Sequence, residues 1–296
     1  MVSKSFHINK ILVPVDFSIS SANATAHAIG IANQFNAELE LLHVVESFSI
    51  TAAISHAFSK SQTEFEGGIE KKSAELLSGL LTNTQSEAYN PVRTHLAKGK
   101  VHKTIIEFAE KLNADLIVMG THGQGETEDH VLGGNATRVI MGAHCPVISV
   151  QSGSKSAPIK NILLPIDNSA VSRQKVRFAV ELAKMYKSVV HVLGAFSSSD
   201  DDLQRKFEVK INQVGYFLDD HEITNSVKLV KGDQLSQIVL DNLQQINPDL
   251  VLVMTEQEGS SLFLGNAAQH IINHSKVPVM TIRPSEGNPD SISVGY

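Results

Sequence analysis

Short runs of apolar residues, separated by longer helical patterns, dominate the hydrophobic pattern of this chain. In its first half these runs are rich in Val, Ile and Leu and are continuous rather than alternating. They comprise Ile11–Val15, Leu39–Val45, Leu116–Met119 and Val147–Val150. Such runs are typical of strands buried on both faces, as in a parallel sheet.

Apolar residues between these runs recur at helical spacing. One predicted helical face comprises Ala22, Thr25, Ala26, Ile29 and Ala32, and another comprises Val101, Ile105, Phe108, Ala109 and Leu112. Strands that alternate with helices predict βαβ units, and therefore an α/β fold with a doubly wound parallel sheet. Ligands of such sheets bind at the carboxyl ends of the strands, so functional residues are expected directly after the apolar runs.

The pattern of the first half returns in the second half in the same order. Four segments match: 10–18 with 161–169, 98–99 with 231–232, 114–119 with 248–253, and 145–150 with 277–282. Four ordered matches indicate the duplication of one domain. We therefore predict a first domain at residues 1–151, a linker at 152–160, a second domain at 161–284 and a polar tail at 285–296.

The composition excludes several classes of protein. A hydrophobic content of 42% in 296 residues is enough for a buried core, and a net charge of −6 argues against a protein that coats nucleic acid. No apolar run approaches the roughly 18 residues that span a bilayer, and the N-terminus lacks the apolar stretch of a secretory signal. The single cysteine, Cys145, cannot form an internal disulfide. We therefore expect a buried, inert thiol and a cytoplasmic location without membrane partners.

Candidate chemistry follows two of the predicted strands of the first half. Asp16 follows the first strand, where its carboxylate can accept hydrogen bonds either from a ligand or from a loop or helix N-terminus. Glycines follow the strand at 116–119 and recur at 133–134, where a helical pattern begins and runs to about Ala143. Glycines and a helix N-terminus can together form a phosphate cradle, although glycines also simply form tight turns. The spacing fits neither a Walker loop nor a Rossmann fingerprint.

These segments resemble the universal stress protein family, in a tandem form with two such domains from about Asn9 to Arg283. The resemblance lies in ILVPVDFS at 11–18, in HV at 43–44, in DLIVMGTHG at 115–123 and in CPV at 145–147. ATP-binding members carry Gly, two residues, Gly, nine residues, Gly, and then Ser or Thr. Gly120, Gly123 and Gly133 fit this spacing, and Gly134 stands at the position of the hydroxyl.

The resemblance implies a Rossmann-like fold of the adenine nucleotide alpha hydrolase type that binds ATP, ADP or AMP, with or without Mg²⁺. The nucleotide-binding residues that it implies are Pro14, Val15, Asp16, Val44, Met119, Gly120, His122, Gly123, Gly133, Gly134 and Asn135. In this assignment Asp16 and the backbone of Val44 serve the adenine, and Met119 lies at the ribose. The glycines from 123 onwards and Asn135 offer backbone amides to the phosphates.

The sequence departs from the family pattern in both halves. Gly134 removes a hydroxyl whose hydrogen bond to a phosphate is worth about 1.5–3 kcal/mol. The loop at 124–130 holds three carboxylates, which either point into solvent or require a bridging cation. In the second half, Met254 and Gln257 replace the first two glycines, and only Gly265 remains. We therefore expect a degenerate second site that binds no triphosphate.

The sequence also leads to expectations about the histidines and about the last strand of each half. His122 and His130 with the loop carboxylates could bind a divalent ion, but their spacing fits no established pattern, so no metal site is predicted. His43 and His191 are expected at the same place in the two repeats, as structural or pocket-edge residues. By the resemblance, the last strands of the two halves pair with each other, which leaves a homodimer and a protein partner open.

The favoured function is a stress-response regulator that binds an adenine nucleotide in its first domain. The alternative is an interaction protein of the same fold that needs no nucleotide. A weak ATP hydrolase is the third hypothesis, and no catalytic residue is predicted for it.

Overall fold

The computed structural model describes residues 6–46, 52–122, 132–154, 156, 158–169, 171–197, 200–232, 234–255 and 264–284, with residues 52–66 described by their backbone. Its strands are β1 (Lys10–Pro14), β2 (Glu38–Glu46), β3 (Val92–Gly99), β4 (Leu116–Gly120), β5 (Val147–Val150), β6 (Asn161–Ile166), β7 (Val189–Phe196), β8 (Asn225–Lys231), β9 (Leu250–Met254) and β10 (Val279–Ile282). Its α-helices are α1 (Ile19–Phe35), α2 (Ala52–Glu87), α3 (Val101–Leu112), α4 (Gly134–Gly142), α5 (Val176–Tyr186), α6 (Asp201–Asp220), α7 (Leu235–Ile246) and α8 (Asn266–His274), and a 3₁₀ helix spans Val171–Lys175.

All ten of these strands form one sheet, in the order β3-β2-β1-β4-β5-β10-β9-β6-β7-β8. The strands are parallel within β1–β5, here called the front half, and within β6–β10, the rear half. The two halves meet where β5 and β10 pair antiparallel. The predicted α/β fold with parallel sheets is therefore confirmed, as is the expected pairing of the last strands.

Helices cover both faces of the sheet, because side chains of successive strand residues point to opposite faces. In β1, Ile11 and Val13 belong to one core layer and Leu12 to the other. The first layer packs against α1, α2, α5 and α6, and the second packs against α3, α4, α7 and α8. Within the described residues, no helix is both long enough and apolar enough to span a bilayer.

The predicted face of α3 is correct, but that of α1 is only partly correct. Thr25, Ile29 and Ala32 are buried, whereas Ala22 and Ala26 are exposed. The buried stripe also includes Ser20 and Ser21, which the predicted apolar face left out. Ser21 and Thr25 satisfy their hydroxyls on the helix itself, by donating to the backbone carbonyls of Ser18 and Ser21.

The two halves hold their first strands by the same contact. The carboxylate of Asp115 accepts hydrogen bonds from the backbone amides of Asn9 and Lys10, at 2.8 and 3.1 Å. In the rear half Asp249 accepts from the amides of residues 160 and 161, both at 2.8 Å. The equivalent contacts of Asp115 and Asp249 therefore show that the start of β1 corresponds to the start of β6.

The expectation that His43 and His191 occupy equivalent places is wrong. Lys10 pairs with Glu38 and Asn161 pairs with Val189, so residue 191 corresponds to residue 40 and His43 corresponds to Gly194. A Cβ on Gly194 would lie 2.9 Å from the Leu229 side chain, so a side chain at this position would require its neighbours to shift. The second strands share no sequence match between the halves, and apolar runs alone do not fix a register.

Candidate functional site

A cavity of about 280 Å³, here called the front cleft, opens at the carboxyl ends of β1 and β4. The predicted residues that line it are Pro14, Val15, Asp16, Val44, Met119, Gly120, His122, Gly133 and Asn135. They come together because the carboxyl ends of parallel strands share one edge of the sheet. Gly134 is the first residue of α4, directly beside this lining. Gly123 and the acidic loop at 124–130 lie outside the described residues.

The N-terminus of α4 borders the front cleft with bare backbone amides. Its N-cap residue is Gly133, which has no side chain to bond these amides. The amide of Gly133 itself donates to the carbonyl of Thr121 at 2.9 Å, which attaches this turn to the end of β4. The amides of a first helical turn and the helix dipole together favour an anion at this place.

The wall of the cleft formed by β2 and α3 was missed by the sequence analysis. Leu42 of β2 and Val101 and Ile105 of α3 line the cleft. The two α3 residues stood on a predicted apolar face and were assigned to the core. Their position could have been predicted, because α3 begins directly after β3 and the carboxyl ends of β3, β1 and β4 lie at the same edge of the sheet.

His122 lines the cleft, and one of its two ring nitrogens has no hydrogen-bond partner within the described residues. Its Nδ1 lies 2.9 Å from the hydroxyl of Thr121, and its Nε2 is buried and has no hydrogen-bond partner within the described residues. The corresponding threonine of the rear half, Thr255, has a buried hydroxyl that is likewise without a partner there. A buried polar atom without a partner costs free energy, so a ligand that bonds this imidazole would stabilise the site.

Asp16 serves a helix N-terminus, as one of its two sequence interpretations proposed. Its Oδ1 accepts from the amide of Ser18 at 3.0 Å and from the hydroxyl of Ser18 at 2.6 Å. Ser18 in turn is the N-cap of α1 and accepts from the amide of Ser21. Asp167 makes the same two bonds to Ser169, at 2.9 and 2.6 Å. The contact therefore belongs to the fold of both halves, while the Asp16 carboxylate also lines the front cleft.

His43 holds the turn between β1 and α1, in agreement with its expected structural or pocket-edge role. Its Nδ1 lies 2.8 Å from the carbonyl oxygen of Val15, and its ring packs on Phe17 with 4.6 Å between the centroids. Phe17 has a φ of 63°, a left-handed conformation that is rare for a bulky residue. The imidazole thus fixes the residues on either side of Asp16.

Gly120 is required by the packing of α1. A Cβ at this position would lie 2.9 Å from the backbone carbonyl carbon of Ser20 and would also meet the hydroxyl of that residue. Because a backbone atom cannot move aside cheaply, only glycine allows α1 to approach β4 so closely. This glycine has a structural reason that holds with or without a phosphate.

The corresponding cavity of the rear half, here called the rear cleft, measures only about 40 Å³. Met254 stands there at the position of Gly120, and the 3₁₀ helix replaces the first turn of the corresponding α-helix. Lys175, which the sequence analysis missed, is buried in the same place and donates to the hydroxyl of Ser172 at 3.0 Å. Burial lowers the pKa of Lys175 to about 8, against the opposing charge of Asp167.

Two further expectations concern cysteine and metal. Cys145 is buried as expected, and burial raises the pKa of its thiol to about 12, which suppresses the reactive thiolate. Among the described residues, no three His, Cys, Asp or Glu side chains come together as metal ligands. His130 and the loop carboxylates weighed with His122 lie outside the described part of the chain.

Comparison with known proteins gives a consistent result for both halves. The family model of the universal stress protein family matches residues 7–151 and 158–283. A universal stress protein of Methanocaldococcus jannaschii is 38% identical over 157 residues, which cover 49% of this chain and 84% of that protein. Universal stress protein A homolog 1 of Coxiella burnetii is 34% identical over 145 residues, or 49% of this chain and 96% of its own. The crystal structure of a universal stress protein from Archaeoglobus fulgidus, 18% identical, superposes with a TM-score of 0.76 over 95% of this chain and 98% of its own.

Proposed function

This chain belongs to the universal stress protein family, and from that membership and the geometry of the front cleft we propose that it is a tandem stress-response protein that binds an adenine nucleotide in its front half. One observation carries the proposal. At equivalent positions of a duplicated fold, the front half keeps a cavity of about 280 Å³ and the rear half about 40 Å³. The larger volume is close to the lower limit of about 300 Å³ for small-molecule pockets.

The chemistry of the front cleft suits the parts of a nucleotide. Leu42, Val101 and Ile105 offer apolar walls for a base, and the Asp16 carboxylate can accept a hydrogen bond from an exocyclic amine. The bare amides at the start of α4 suit phosphates, since each amide donates to an anion and the helix dipole adds to the attraction. His122 Nε2 is a further polar atom for the ligand.

In this proposal a Mg²⁺ ion would bind to the phosphates of the nucleotide. Asp16 is the one carboxylate in the described lining of the front cleft, and its Oδ1 is engaged by Ser18. Because this carboxylate is assigned to the base, the described lining offers no further carboxylate for Mg²⁺, and the ion would be held by the phosphates and water.

One observation favours the alternative of an interaction protein that needs no nucleotide. Gly120, the first glycine of the family pattern, is already required by the close approach of Ser20. Its presence is therefore weak evidence for a phosphate, and the proposal depends on the open cleft and on the amides of α4.

Bound nucleotide tests the proposal directly. The purified protein is denatured, its supernatant is analysed for nucleotides by absorbance and mass, and the nucleotide-free protein is titrated with ATP, ADP and AMP in a calorimeter. We expect binding of at least one of them at a single site. Absence of co-purified nucleotide together with absence of heat at millimolar ligand would rule the proposal out.

Asp16→Ala and Asp167→Ala form a matched pair for this test. Both variants lose the same two hydrogen bonds to the serine two residues later, and Asp167→Ala also removes the carboxylate that acts on the buried Lys175, so the control is at least as disruptive in this respect. Only Asp16 lines the front cleft. We expect Asp16→Ala to lose nucleotide affinity and Asp167→Ala to retain it, and equal losses would place the binding elsewhere.

A further inference from the structure

We propose that Asn273, a residue of the rear half, positions the phosphate end of the front cleft. The inference rests on the proposed nucleotide site and adds a contribution from the other half of the chain. Its basis is a hydrogen bond in which the backbone amide of Leu132 donates to Oδ1 of Asn273 at 2.9 Å. Leu132 immediately precedes Gly133, the N-cap residue of α4.

The turn that leads into α4 is held at two points. The amide of Gly133 donates to Thr121, which fixes the turn to the end of β4, and the amide of Leu132 donates to Asn273 in α8. Leu132 is 4% exposed, so its amide depends on this partner rather than on water. The amides that follow in α4 are those assigned to the phosphates, and their direction depends on this turn.

Helix α8 is itself attached to the front half. The side chain of Gln151 donates to the carbonyl of Ile272, the residue next to Asn273. Across the β5–β10 pair, the Ser149 hydroxyl donates to the carbonyl of Val279 at 3.1 Å, and the Thr281 hydroxyl donates to that of Val147 at 3.0 Å. These contacts fix the carboxamide of Asn273 relative to the front cleft.

Only the rear half supplies such a side chain to the other half, because the two halves carry different residues at this position. Gly133 and Gly265 make the same bond to Thr121 and Thr255, so residue 141 of α4 corresponds to residue 273 of α8. Residue 141 is methionine, whose thioether is a weak acceptor and cannot replace an amide oxygen. The rear half thus supports the front turn, while the front half does not return the contact to Leu264.

This arrangement couples the pairing of the halves to the ligand. A ligand on the α4 amides and the Asn273 hydrogen bond favour the same position of the turn, so each stabilises the other. Removing a single hydrogen bond of this kind weakens binding by about three- to tenfold. The loss of affinity should concern the contacts to the phosphates, because the base and the ribose are assigned to residues outside α4.

Asn273→Met tests the inference in the full-length chain, since it introduces the residue found at position 141. We expect the affinity for ATP to fall by about three- to tenfold and the affinity for adenosine to stay unchanged. Gln269→Met, which also replaces a carboxamide side chain by methionine one turn earlier in α8, is the control and should alter neither affinity. Hydrogen exchange at the amide of Leu132 should accelerate in Asn273→Met without nucleotide, which checks the contact independently of binding.

The outcomes separate this inference from the proposed function. If the wild-type chain binds neither ATP nor adenosine, the nucleotide site and the inference built on it both fail. If the wild-type chain binds ATP and Asn273→Met binds it equally well, only the inference fails. An equal loss for ATP and adenosine would show a general disturbance of the cleft and would also overturn it. Asn273→Ala, which removes the acceptor without adding volume, serves as the second variant should the methionine impair folding.

Discussion

Lys175 occupies in the rear half the position that Ala24 occupies in the front half. The correspondence is fixed on both sides, since Asp16 matches Asp167 before the helix and the left-handed caps Asn36 and Lys187 match after it. All of these pairs are 151 residues apart, so no insertion separates them. A methyl group in the front half is thus replaced by a buried ammonium group in the rear half. This long side chain is one reason why the rear cleft is small.

The first prediction concerns the pH dependence of stability caused by Lys175. Its pKa is lowered from 10.5 to about 8 in the folded protein, so between these pH values the unfolded chain binds more protons. The free energy of unfolding should therefore rise with pH across this range, by up to about 1.4 kcal/mol per pH unit. Lys175→Met should lack this rise and should be more stable than the wild type near pH 7.

Urea unfolding of both proteins at several pH values checks this prediction. The free energy of unfolding of Lys175→Met is subtracted from that of the wild type at each pH. The contributions of the other lysines and of the tyrosines cancel in this difference, because these residues titrate in both proteins. A difference that is constant from pH 7 to pH 10 would mean that Lys175 is not buried as described.

The second prediction is that Gly134→Ser tightens nucleotide binding. A Cβ at this position lies 3.9 Å from its nearest neighbour, an atom of the Arg138 side chain, so serine fits. Its hydroxyl adds a hydrogen bond to a charged phosphate, and the affinity for ATP should rise by about tenfold or more. Asn266→Ser, at the equivalent position of the rear half, is the control and should leave the affinity unchanged. Calorimetry that finds equal affinities for Gly134→Ser and wild type would show that phosphates do not reach α4.

The third prediction is that Gly120→Ala destabilises the fold whether or not nucleotide is present. The added methyl group meets the backbone of Ser20, and overpacking of this kind costs about 1–3 kcal/mol. Gly134→Ala, whose added methyl group would make only an ordinary contact with the Arg138 side chain at 3.9 Å, should cost nothing measurable. Chemical denaturation of the nucleotide-free variants provides the measurement. Similar stabilities would contradict the close contact between α1 and β4.

The fourth prediction concerns the aspartates that hold the first strand of each half. Asp115→Ala and Asp249→Ala each remove an acceptor shared by two backbone amides, and each should lower the free energy of unfolding by about 2 kcal/mol. The two losses should add in the double variant, because the sites share no partner. Asp241→Ala, whose exposed carboxylate accepts from Gln237 within α7, should be nearly neutral in the same denaturation experiment. Unequal losses would show that the two halves do not depend on this contact alike.

Much of the candidate site could be predicted because it lies close to strand ends in the sequence. A parallel sheet brings the carboxyl ends of β1 and β4 to one edge, so residues at these strand ends, such as Asp16 and Gly120, could be grouped from the sequence. The walls from α3 could not be assigned in the same way. Helical periodicity identifies the apolar face of Val101 and Ile105 but does not show whether that face meets another side chain or a cavity.

The sequence by itself determined the duplication, the parallel α/β class and the loss of glycine at Met254, because these depend on local pattern and on the comparison of the two halves. Only the tertiary structure decided that Asn273 reaches Leu132, that Lys175 enters the rear cleft, and that His43 corresponds to Gly194 rather than to His191. Each of these depends on a register or on a contact between residues distant in the chain. Hydrophobic periodicity shows which side of an element is buried, but the partner on that side is set by packing.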